Sequence, residues 1–525
     1  MSFPVSDYKR EQVSRIIMTL MRRLVLLWLC STSAFACEKT LTALQLSNTH
    51  IVSASTIPAA VPLPEFCQVQ GYVVTPGLQG EPDNKVNFEV DLPTAGWNGK
   101  LYSAGGSGFI GGRSNKRPMA NGYATAYTDT GHEAASAVDA TWANSSMTRK
   151  VDFFDRGIHV ATVAAKAVTQ AFYEKRVEKS YFVGCSTGGK QAFIEAQRFP
   201  EDYDGIIAGA PAVDYTGLMI EFNWNEKVLL DSPASYIPSS KLPMIAKAVL
   251  DHCDAKDGLT DGLISEPRKC DFDPETLRCC LTGAQIETLK KLYAGPGKKI
   301  FPGMPIGHED SPNYAAYIFG NVQPTLRDNL LTFTGDYIKD SAAAPFEFAF
   351  QREFFRYLAF QPGDADYDWR SFRLDKDLSK VAVLGKLHNA LDPDLSRFQK
   401  HGGKLIIYNG WADPVVPPLR IVEYYEKVQA ATRNTQSFAR LFLAPGMNHC
   451  GGGPGPNSFD SLGALEKWVE HGTAPDQMVA THSTDRVADR TRPLCAYPQV
   501  ARYKGSGSID EAANFVCAVV REKAP

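Results

Sequence analysis

The first part of the chain alternates apolar runs of strand length with one long apolar stripe of helical period. Val86–Val90 alternates apolar and polar side chains, which is typical of a strand with one buried face. Four other apolar runs also predict strands, at residues 100–103, 123–128, 181–183 and 206–211. The helical stripe extends from Gly157 to about Glu178. Strands that alternate with helices predict a mostly parallel sheet, so residues 37–213 are expected to begin an α/β core.

The alternation stops at about Asp214 and returns at about Lys404. Aromatic residues, prolines and isolated helical segments fill the interval, with helices predicted at residues 242–251, 283–293 and 346–360. After it, strands are predicted at residues 405–408 and 440–443 and a helix at residues 461–472. We therefore expect a large inserted lid domain over residues 214–390, and the second part of the core over residues 391–525.

The N-terminal residues have the features of an export signal. Arg22 and Arg23 precede the apolar run Leu24–Leu29, which is too short to span a bilayer, and Ala34-Phe35-Ala36 fits a cleavage site. Residues 1–36 are thus predicted to be a signal peptide, and the mature protein to be secreted or periplasmic. An N-terminal anchor helix is the alternative. A lipoprotein attached at Cys37 is disfavoured, because Phe35 stands where a small residue is needed and Cys67 would lack a partner.

Charge and cysteine content narrow the class of protein. The 525 residues carry a formal net charge of −3, which gives no electrostatic basis for binding nucleic acid or an anionic membrane surface. Of the 11 cysteines, only Cys30 lies in the predicted signal, which leaves an even number suited to five disulfides in an oxidising compartment. Cys279 and Cys280 are adjacent, and either bond each other or pair elsewhere.

Ser186 stands in the pattern Gly184-Cys185-Ser186-Thr187-Gly188, between a predicted strand and a predicted helix. This G-x-S-x-G spacing in a strand–turn–helix context is that of a nucleophile elbow. Glycines are needed there because the backbone of the helix passes close to the strained turn. The helix directs its N-terminal amides towards the place where an oxyanion would form. An ordinary tight turn is the alternative.

Two further residues complete a possible catalytic triad. Asp413 and His449 each follow one of the two C-terminal predicted strands, and the order serine, aspartate, histidine is that of the α/β-hydrolases. A serine hydroxyl needs a base to remove its proton, histidine titrates near neutrality, and an aspartate fixes the histidine tautomer. The chain has 10 histidines, so a structural role for His449 is the alternative.

One cysteine lies next to the predicted nucleophile, and another lies next to the predicted base. Cys185 precedes Ser186 and Cys450 follows His449. If the triad forms, the two sulfurs must lie near one another, and a disulfide between them would link the strand of the nucleophile to the loop of the base. Two unrelated buried cysteines are the alternative, although they would leave free thiols in an exported protein.

Two loops could assist the chemistry. The glycine-rich loop at residues 105–112 lacks the helix start and acidic residue of a nucleotide site, but near a nucleophile it can offer a backbone amide to an oxyanion. A plain turn is equally compatible with it. Asp254, Asp257 and Asp261 lie in a glycine-containing loop between Cys253 and Cys270, where carboxylate and carbonyl oxygens could bind calcium. A solvated acidic turn is the alternative.

Taken together, these motifs resemble the tannase and feruloyl esterase family, which includes bacterial hydrolases of mono(2-hydroxyethyl) terephthalate. The resemblance covers roughly residues 60–520. It is carried by Gly184-Cys185-Ser186-x-Gly188-Gly189, Gly410-Trp411-Ala412-Asp413-Pro414, Gly446-Met447-x-His449-Cys450-Gly451-Gly452 and the loop from Cys253 to Cys270. It implies an α/β-hydrolase core with a large lid.

The resemblance also implies roles for particular residues. Cys185–Cys450 would be a disulfide at the active site, and the other implied pairs are Cys37–Cys67, Cys253–Cys270 and Cys495–Cys517. Calcium would be held in the lid by Asp254, Asp257, Asp261 and the carbonyls of Leu259 and Leu263. The oxyanion donors would be the amides of Thr187 and, within the glycine loop, Gly106. The chain departs from the family where Cys279 and Cys280 abut, which indicates a shortened lid segment.

The sequence thus predicts a secreted serine esterase that hydrolyses esters of hydroxycinnamic, feruloyl-type acids through an acyl-enzyme. Its substrate would be a small aromatic ester or one derived from a plant polymer. Activity on gallate esters or on mono(2-hydroxyethyl) terephthalate is the alternative, and a non-catalytic binding protein is the alternative of another class. An aromatic stripe in the lid, formed by Phe354, Phe355, Tyr357 and Phe360, either lines the acyl pocket or packs in the core.

Overall fold

The computed structural model describes residue 37 and residues 41–519. The predicted signal peptide lies outside the described residues. None of the helices in the described part of the chain is long and apolar enough to cross a membrane.

A nine-stranded sheet organises the described residues, and its order is β1-β2-β3-β5-β4-β6-β7-β10-β11. Its strands are β1 (Thr49–Ile57), β2 (Phe66–Thr75), β3 (Asn84–Pro93), β4 (Lys100–Ala104), β5 (Ala124–Thr128), β6 (Lys179–Cys185), β7 (Gly205–Gly209), β10 (Lys404–Gly410) and β11 (Ala439–Ala444). The first three strands pair antiparallel, and β3 pairs antiparallel with β5. From β5 onwards every pairing is parallel. The α/β prediction is therefore confirmed, with an antiparallel edge formed by β1, β2 and β3.

Helices connect the strands of the sheet and pack against it. Those outside residues 214–390 are α1 (Met147–Val151), α2 (Gly157–Tyr173), α3 (Thr187–Arg198), α11 (Ser396–His401), α12 (Pro418–Ala431) and α13 (Ser461–His471). Apolar side chains of α3 and α12 pack with those of the parallel strands in one core cluster, which contains Phe193, Tyr425 and Ile407. Trp468 of α13 packs with Tyr181 in another. Because these strands are buried by helices, their sequences are almost continuously apolar.

Residues 214–390, here called the helical insertion, lie between the adjacent parallel strands β7 and β10. The insertion contains α4 (Tyr215–Leu229), α5 (Leu242–Cys253), α6 (Gly283–Ala294), α7 (Pro312–Tyr314), α8 (Phe346–Glu353), α9 (Leu374–Ala382), α10 (Gly385–His388) and the small hairpin β8 (Thr325–Arg327) and β9 (Leu330–Thr332). The three helices predicted there are present. The third ends early, because Phe354–Leu358 continues it as a π-helical turn.

The insertion has a hydrophobic core rich in aromatic side chains, including Phe348, Phe354 and Trp369. The same cluster contains Phe109 and Phe153 from the first part of the chain. The insertion is therefore packed against the glycine loop and its surroundings. Its status as a separate domain stays a prediction.

Two small antiparallel ribbons at the C-terminal end were not predicted from the sequence. They are β12 (Gln477–Thr484) with β13 (Val487–Cys495), and β14 (Gln499–Tyr503) with β15 (Phe515–Val519). A disulfide joins Cys495 of β13 to Cys517 of β15. The described residues contain four other disulfides: Cys37–Cys67, Cys185–Cys450, Cys253–Cys270 and Cys279–Cys280.

Candidate active site

Ser186 occupies a sharp turn between β6 and α3. Its φ of 64° and ψ of −123° lie where non-glycine residues are rare, as expected for a strained nucleophile elbow. Its amide donates to the carbonyl of Gly209, and its carbonyl accepts from the amides of Lys190 and Ala212. These bonds to β7 and α3 hold the serine backbone in the strained conformation.

The glycines around Ser186 are required by close backbone contacts. A Cβ on Gly184 would lie 2.2 Å from the carbonyl oxygen of Gly188, and one on Gly189 would lie 2.4 Å from that of Gly209. A Cβ on Gly105 would lie 2.6 Å from the Cα of Gly188. Strand, helix and glycine loop therefore meet more closely than any side chain permits.

Asp413 and His449 follow β10 and β11 at the same carboxyl edge of the sheet. Oδ2 of Asp413 lies 2.9 Å from Nδ1 of His449, and Oδ1 accepts from the amides of Val415 and Val416 at 2.9 and 3.0 Å. The Asp413 side chain is completely buried, while the His449 side chain is 10% exposed. Each carboxylate oxygen of Asp413 therefore accepts at least one hydrogen bond. The bond to Nδ1 fixes the histidine ring and leaves its Nε2 for another partner.

A disulfide brings the serine and histidine loops together. The Cα atoms of Cys185 and Cys450 are 6.0 Å apart, although the residues are separated by 265 positions in the chain. Because consecutive Cα atoms are about 3.8 Å apart, the Cα atoms of Ser186 and His449 lie within about 14 Å of each other. The three residues predicted from the sequence thus converge on one edge of the sheet.

The glycine loop lies on the first turn of α3. The amide of Gly188 donates to the carbonyl of Gly106 at 3.1 Å, and the Thr187 hydroxyl donates to the carbonyl of Gly108 at 2.8 Å. The amide of Thr187 is at the first position of the helix, where no intrahelical acceptor exists. This placement suits the predicted oxyanion role of Thr187.

The geometry counts against Gly106 as the second oxyanion donor. Its amide donates to Oε1 of Gln191 at 2.8 Å and is therefore already engaged. The amides of Gly105, Ser107, Phe109 and Ile110 also have backbone acceptors. Between residues 105 and 110, only the amide of Gly108 has no acceptor among the described residues.

One aromatic side chain of the helical insertion, Tyr317, lies beside the histidine, and a second, Phe346, lies next to Tyr317. The ring centroid of Tyr317 is 6.2 Å from that of His449 in an edge-on arrangement, and Phe346 lies 4.8 Å from Tyr317. Both are only partly buried, and Tyr317 belongs to the π-helical turn Ala315–Phe319. Burial and the negative charge of Asp413 raise the pKa of Tyr317 to about 12, so its hydroxyl is protonated at neutral pH.

The aromatic contacts continue from Phe346 to the glycine loop. Phe350 lies 6.3 Å from Phe346 and 5.2 Å from Phe109, measured between ring centroids. These four residues are here called the aromatic wall: Tyr317, Phe346, Phe350 and Phe109. The wall extends from the predicted base to the predicted oxyanion loop.

For the aromatic stripe at residues 354–360, the sequence left open whether it lines the acyl pocket or packs in the core. Phe354 and Phe355 are completely buried and pack in the core of the insertion. Tyr357 and Phe360 are partly buried at the edge of the same core. For Phe354 and Phe355 core packing is therefore the correct alternative.

The loop predicted to bind calcium is closed by Cys253–Cys270. Asp254 accepts from the amides of Asp261 and Gly262, and Asp257 accepts from those of Leu259 and Ser265. Burial, with a contribution from the negative charge of Asp261, raises the pKa of both Asp254 and Asp257.

Asp261 has a cationic partner outside the loop. Its Oδ2 lies 2.8 Å from Nη2 of Arg492, and its carbonyl accepts from Arg490 at 3.1 Å. Among the described residues, no three acidic, histidine or cysteine side chains are arranged as a metal-binding group. The calcium site therefore stays a prediction.

The fold and the arrangement of serine, histidine and aspartate define the class of α/β-hydrolases. Comparison with known proteins gives the family. The model of the tannase and feruloyl esterase family matches residues 67–518, so the chain belongs to that family and is a carboxylic ester hydrolase. The alternative of a non-catalytic binding protein is therefore excluded.

Several relatives share most of their length with this chain. An uncharacterised esterase of Xanthomonas campestris pv. campestris is 36% identical over 557 residues, which cover 93% of this chain and 92% of the relative. Mono(2-hydroxyethyl) terephthalate hydrolase of Piscinibacter sakaiensis is 33% identical over 539 residues, covering 89% and 87%. The crystal structure of feruloyl esterase B from Aspergillus oryzae superposes with a TM-score of 0.80 at 25% identity, covering 93% of this chain and 100% of that one.

Sequence reasoning did not find Gln191, Tyr317 or Phe346. Gln191 is a polar residue in a buried part of α3. Its position five residues after Ser186 was the available signal in the sequence. Tyr317 and Phe346 come from separate segments of the insertion, and nothing in their local sequence distinguishes them from other aromatic residues there.

Proposed function

We propose that the protein is a serine esterase that cleaves esters of aromatic carboxylic acids through an acyl-enzyme on Ser186. The observation that carries this proposal is the 2.9 Å contact between Nδ1 of His449 and Oδ2 of the fully buried Asp413. The Cys185–Cys450 disulfide links the loop of this histidine to the Ser186 elbow.

The reaction follows from these positions. Nε2 of His449 removes the proton of the Ser186 hydroxyl as its oxygen attacks the ester carbonyl. Asp413 stabilises the resulting imidazolium, which then gives its proton to the departing alcohol. Water, deprotonated by the same histidine, attacks the acyl-enzyme and releases the acid.

The negative charge on the tetrahedral carbonyl oxygen requires amide donors. Thr187 supplies one from the first turn of α3, where the helix dipole adds favourable potential. For the second donor, the amide of Gly108 replaces that of Gly106 in our proposal, because Gly106 is bonded to Gln191. Removal of one such donor typically costs about 10²–10³ in rate.

The aromatic wall favours an aromatic acyl group over an aliphatic one. Tyr317 is partly buried beside His449 and Phe346 is partly buried beside Tyr317, and offset or edge-on contact with a substrate ring is worth about 0.5–1.5 kcal/mol per pair. In this proposal the helical insertion acts as the lid, because it contributes three of the four wall residues. Feruloyl-type esters are the first candidates. Mono(2-hydroxyethyl) terephthalate is the second, since a relative that is 33% identical is named for that activity.

The proposal is tested by kcat/KM for methyl ferulate, methyl gallate, mono(2-hydroxyethyl) terephthalate and an acetate ester. We expect the aromatic esters to be preferred, and Tyr317→Ala to lower kcat/KM for them by about tenfold, with a smaller effect on the acetate. Tyr367→Ala is the matched control, since Tyr367 contacts Phe355 and Phe360 instead. Equal use of acetate and aromatic esters would overturn the aromatic specificity.

We also propose an exported protein with structural calcium. Five disulfides within the described residues are suited to an oxidising compartment, in agreement with the predicted signal. For calcium, the support is chemical: Asp254, Asp257 and Asp261 lie in one disulfide-closed loop, and burial, with a smaller contribution from the negative charge of Asp261, raises the pKa of the other two. A hard divalent cation with these carboxylates and the carbonyls of Leu259 and Leu263 would relieve that repulsion.

A further inference from the structure

Gln191 connects the nucleophile helix to the glycine loop. It lies on α3, one turn after Thr187, and its side chain is buried, with only 3% of the residue exposed. Its Oε1 accepts from the amide of Gly106 at 2.8 Å, and its Nε2 donates to the carbonyl of Gly111 at 2.8 Å. A single side chain therefore binds both ends of the loop that carries Gly108.

The loop is also held from outside α3, because the amide of Phe109 donates to the carbonyl of Ala137 at 2.7 Å and Nε2 of His132 donates to the carbonyl of Phe109 at 2.8 Å. The chain from Gly106 to Gly111 contains no helix or sheet strand, and its own bonds include the exchange between Ser107 and Ile110. Its contacts with α3 are the bonds from Gly188 and Thr187 at one side and those of Gln191 at the other. Loss of Gln191 would leave the amide of Gly106 and the carbonyl of Gly111 without partners in a buried place, where such groups are costly.

We propose that Gln191 is a positioning residue that fixes the oxyanion loop to the same helix as the nucleophile. The inference rests on the proposed function. Because Ser186 and Gln191 belong to one turn-and-helix unit, the nucleophile and the loop amide keep a constant separation. Electrostatic stabilisation of an oxyanion depends on such preorganisation, and a displacement of about 1 Å can cost about 10²-fold in rate.

Loss of Gln191 should destabilise the transition state more than the bound substrate. The ground-state ester has little charge on its carbonyl oxygen, whereas the tetrahedral intermediate has a full one. For Gln191→Leu we therefore expect kcat to fall by about 10- to 100-fold, with KM changed by less than about threefold. The affinity for an aryl boronic acid, which forms a tetrahedral adduct with the serine, should fall in parallel with kcat.

The Gln191→Glu variant provides a second test, which depends on pH. A protonated glutamic acid has the shape of glutamine, with one acceptor for the amide of Gly106 and one donor for the carbonyl of Gly111. Burial favours this neutral form. Relative to the wild type at the same pH, the variant should keep most of its activity at low pH and lose it as the pH rises. A merely structural role would not produce this profile in kcat.

Gln197 provides a matched control on the same helix. Its Nε2 donates to the carbonyl of Ala390 at 2.8 Å and to the hydroxyl of Tyr424 at 2.7 Å, away from the glycine loop. Gln197→Leu should lower the Tm and leave kcat unchanged, while Gln191→Leu lowers kcat even in samples with a native circular dichroism spectrum.

The outcomes separate this inference from the proposed function. Wild-type kcat in Gln191→Leu, together with an inactive Ser186→Ala variant, would overturn the positioning role alone. An equal loss of kcat in Gln191→Leu and Gln197→Leu would also overturn it. An active Ser186→Ala variant would overturn the proposed function itself.

Discussion

The carboxyl edge of the sheet and the helical insertion both bury carboxyl groups, but they surround them differently. At the sheet edge, Asp413 is completely buried and has His449 on one oxygen and two backbone amides on the other. In the insertion, Glu221 and Glu226 of α4 are equally buried, and neither has a hydrogen-bond partner for its carboxyl oxygens among the described residues.

The lack of hydrogen-bond donors affects the charge of the two glutamates. Burial, together with the charge of the nearby Glu347, raises the pKa of Glu221 and of Glu226 well above the usual range, so both favour the neutral form. Arg420 opposes the shift at Glu221 and Arg370 opposes it at Glu226. Glu347 of α8 is also buried, and its pKa is raised by burial although Asn225 donates to it. A buried carboxyl group without hydrogen-bond donors favours its neutral form, and Glu221 and Glu226 lack the donors that Asp413 has.

Replacing an acid by its amide should greatly lower kcat at the sheet edge and leave kcat almost unchanged in the insertion. Asp413→Asn keeps the volume and the acceptor for Val415, but its NH₂ group no longer fixes the correct histidine tautomer. We expect kcat to fall by about 10⁴-fold with little change in Tm. Glu221→Gln, as the partner experiment in the insertion, should leave kcat within about twofold of the wild type. If Asp413→Asn retains wild-type kcat, Asp413 has no role in the proposed triad.

The disulfide at the sheet edge should matter for both activity and stability. The Cys185→Ser/Cys450→Ser variant loses a link that closes a loop of 265 residues, worth up to about 5 kcal/mol in the chain-entropy model. It also frees the loop of His449, so kcat should fall together with the free energy of unfolding, measured in urea. The Cys37→Ser/Cys67→Ser variant is the control: it should lose stability alone, because that pair joins residues remote from β10 and β11 in the sheet. Unchanged kcat in the first variant would show that the link does not organise the site.

Calcium should act on the insertion and leave the sheet edge unaffected. If Asp254, Asp257 and Asp261 bind calcium, a free concentration of 100 times Kd stabilises the protein by about 2.7 kcal/mol. A chelator should then lower the Tm measured by calorimetry, whereas the Asp257→Asn variant should show a smaller response. An identical Tm with calcium and with chelator would contradict the calcium proposal.

The buried glutamates should make the stability depend on pH. Their pKa is higher in the folded protein than in the unfolded chain, so the folded state holds the proton more tightly, and stability is lost as the pH rises above about 4.5. Glu221→Gln removes one such proton. The slope of unfolding free energy against pH should therefore be shallower by up to about 1.4 kcal/mol per pH unit between about pH 5 and pH 8. Glu287→Gln, at an exposed residue of α6, should leave the slope unchanged. Equal slopes in the Glu221→Gln variant and the wild type would contradict the neutral state of Glu221.

The sheet edge could be predicted from the sequence because its signals are local and ordered. The elbow has a strand before Ser186 and a helix after it, and the strands before Asp413 and His449 are continuous apolar runs. In a parallel sheet, strand ends meet at one edge, so the chain order of three residues implied their convergence. The neighbouring cysteines were expected to lie together if the triad formed, and in the structure they are joined by a disulfide.

The insertion could be predicted only in outline. Three of its helices, at residues 242–251, 283–293 and 346–360, were predicted from their apolar period, whereas α4 was not. Which faces meet depends on packing between segments distant in the chain. Glu221 contributes nothing to an apolar pattern, and its burial appears only when α4 lies against α8. In the same way, Gln191 was not recognised because its partners, Gly106 and Gly111, lie 85 and 80 positions away. The π-helical turn at Phe354–Leu358, within a segment predicted as one helix, is also something that a helical period cannot reveal.

The central claim is that Ser186 is a nucleophile activated by His449. Mass spectrometry of the protein after treatment with a fluorophosphonate, with the modified peptide sequenced, tests it most directly. The account predicts one adduct, on Ser186, that forms more slowly in the presence of methyl ferulate and is lost in His449→Ala. Modification of another residue, or undiminished modification of Ser186 in His449→Ala, would contradict it.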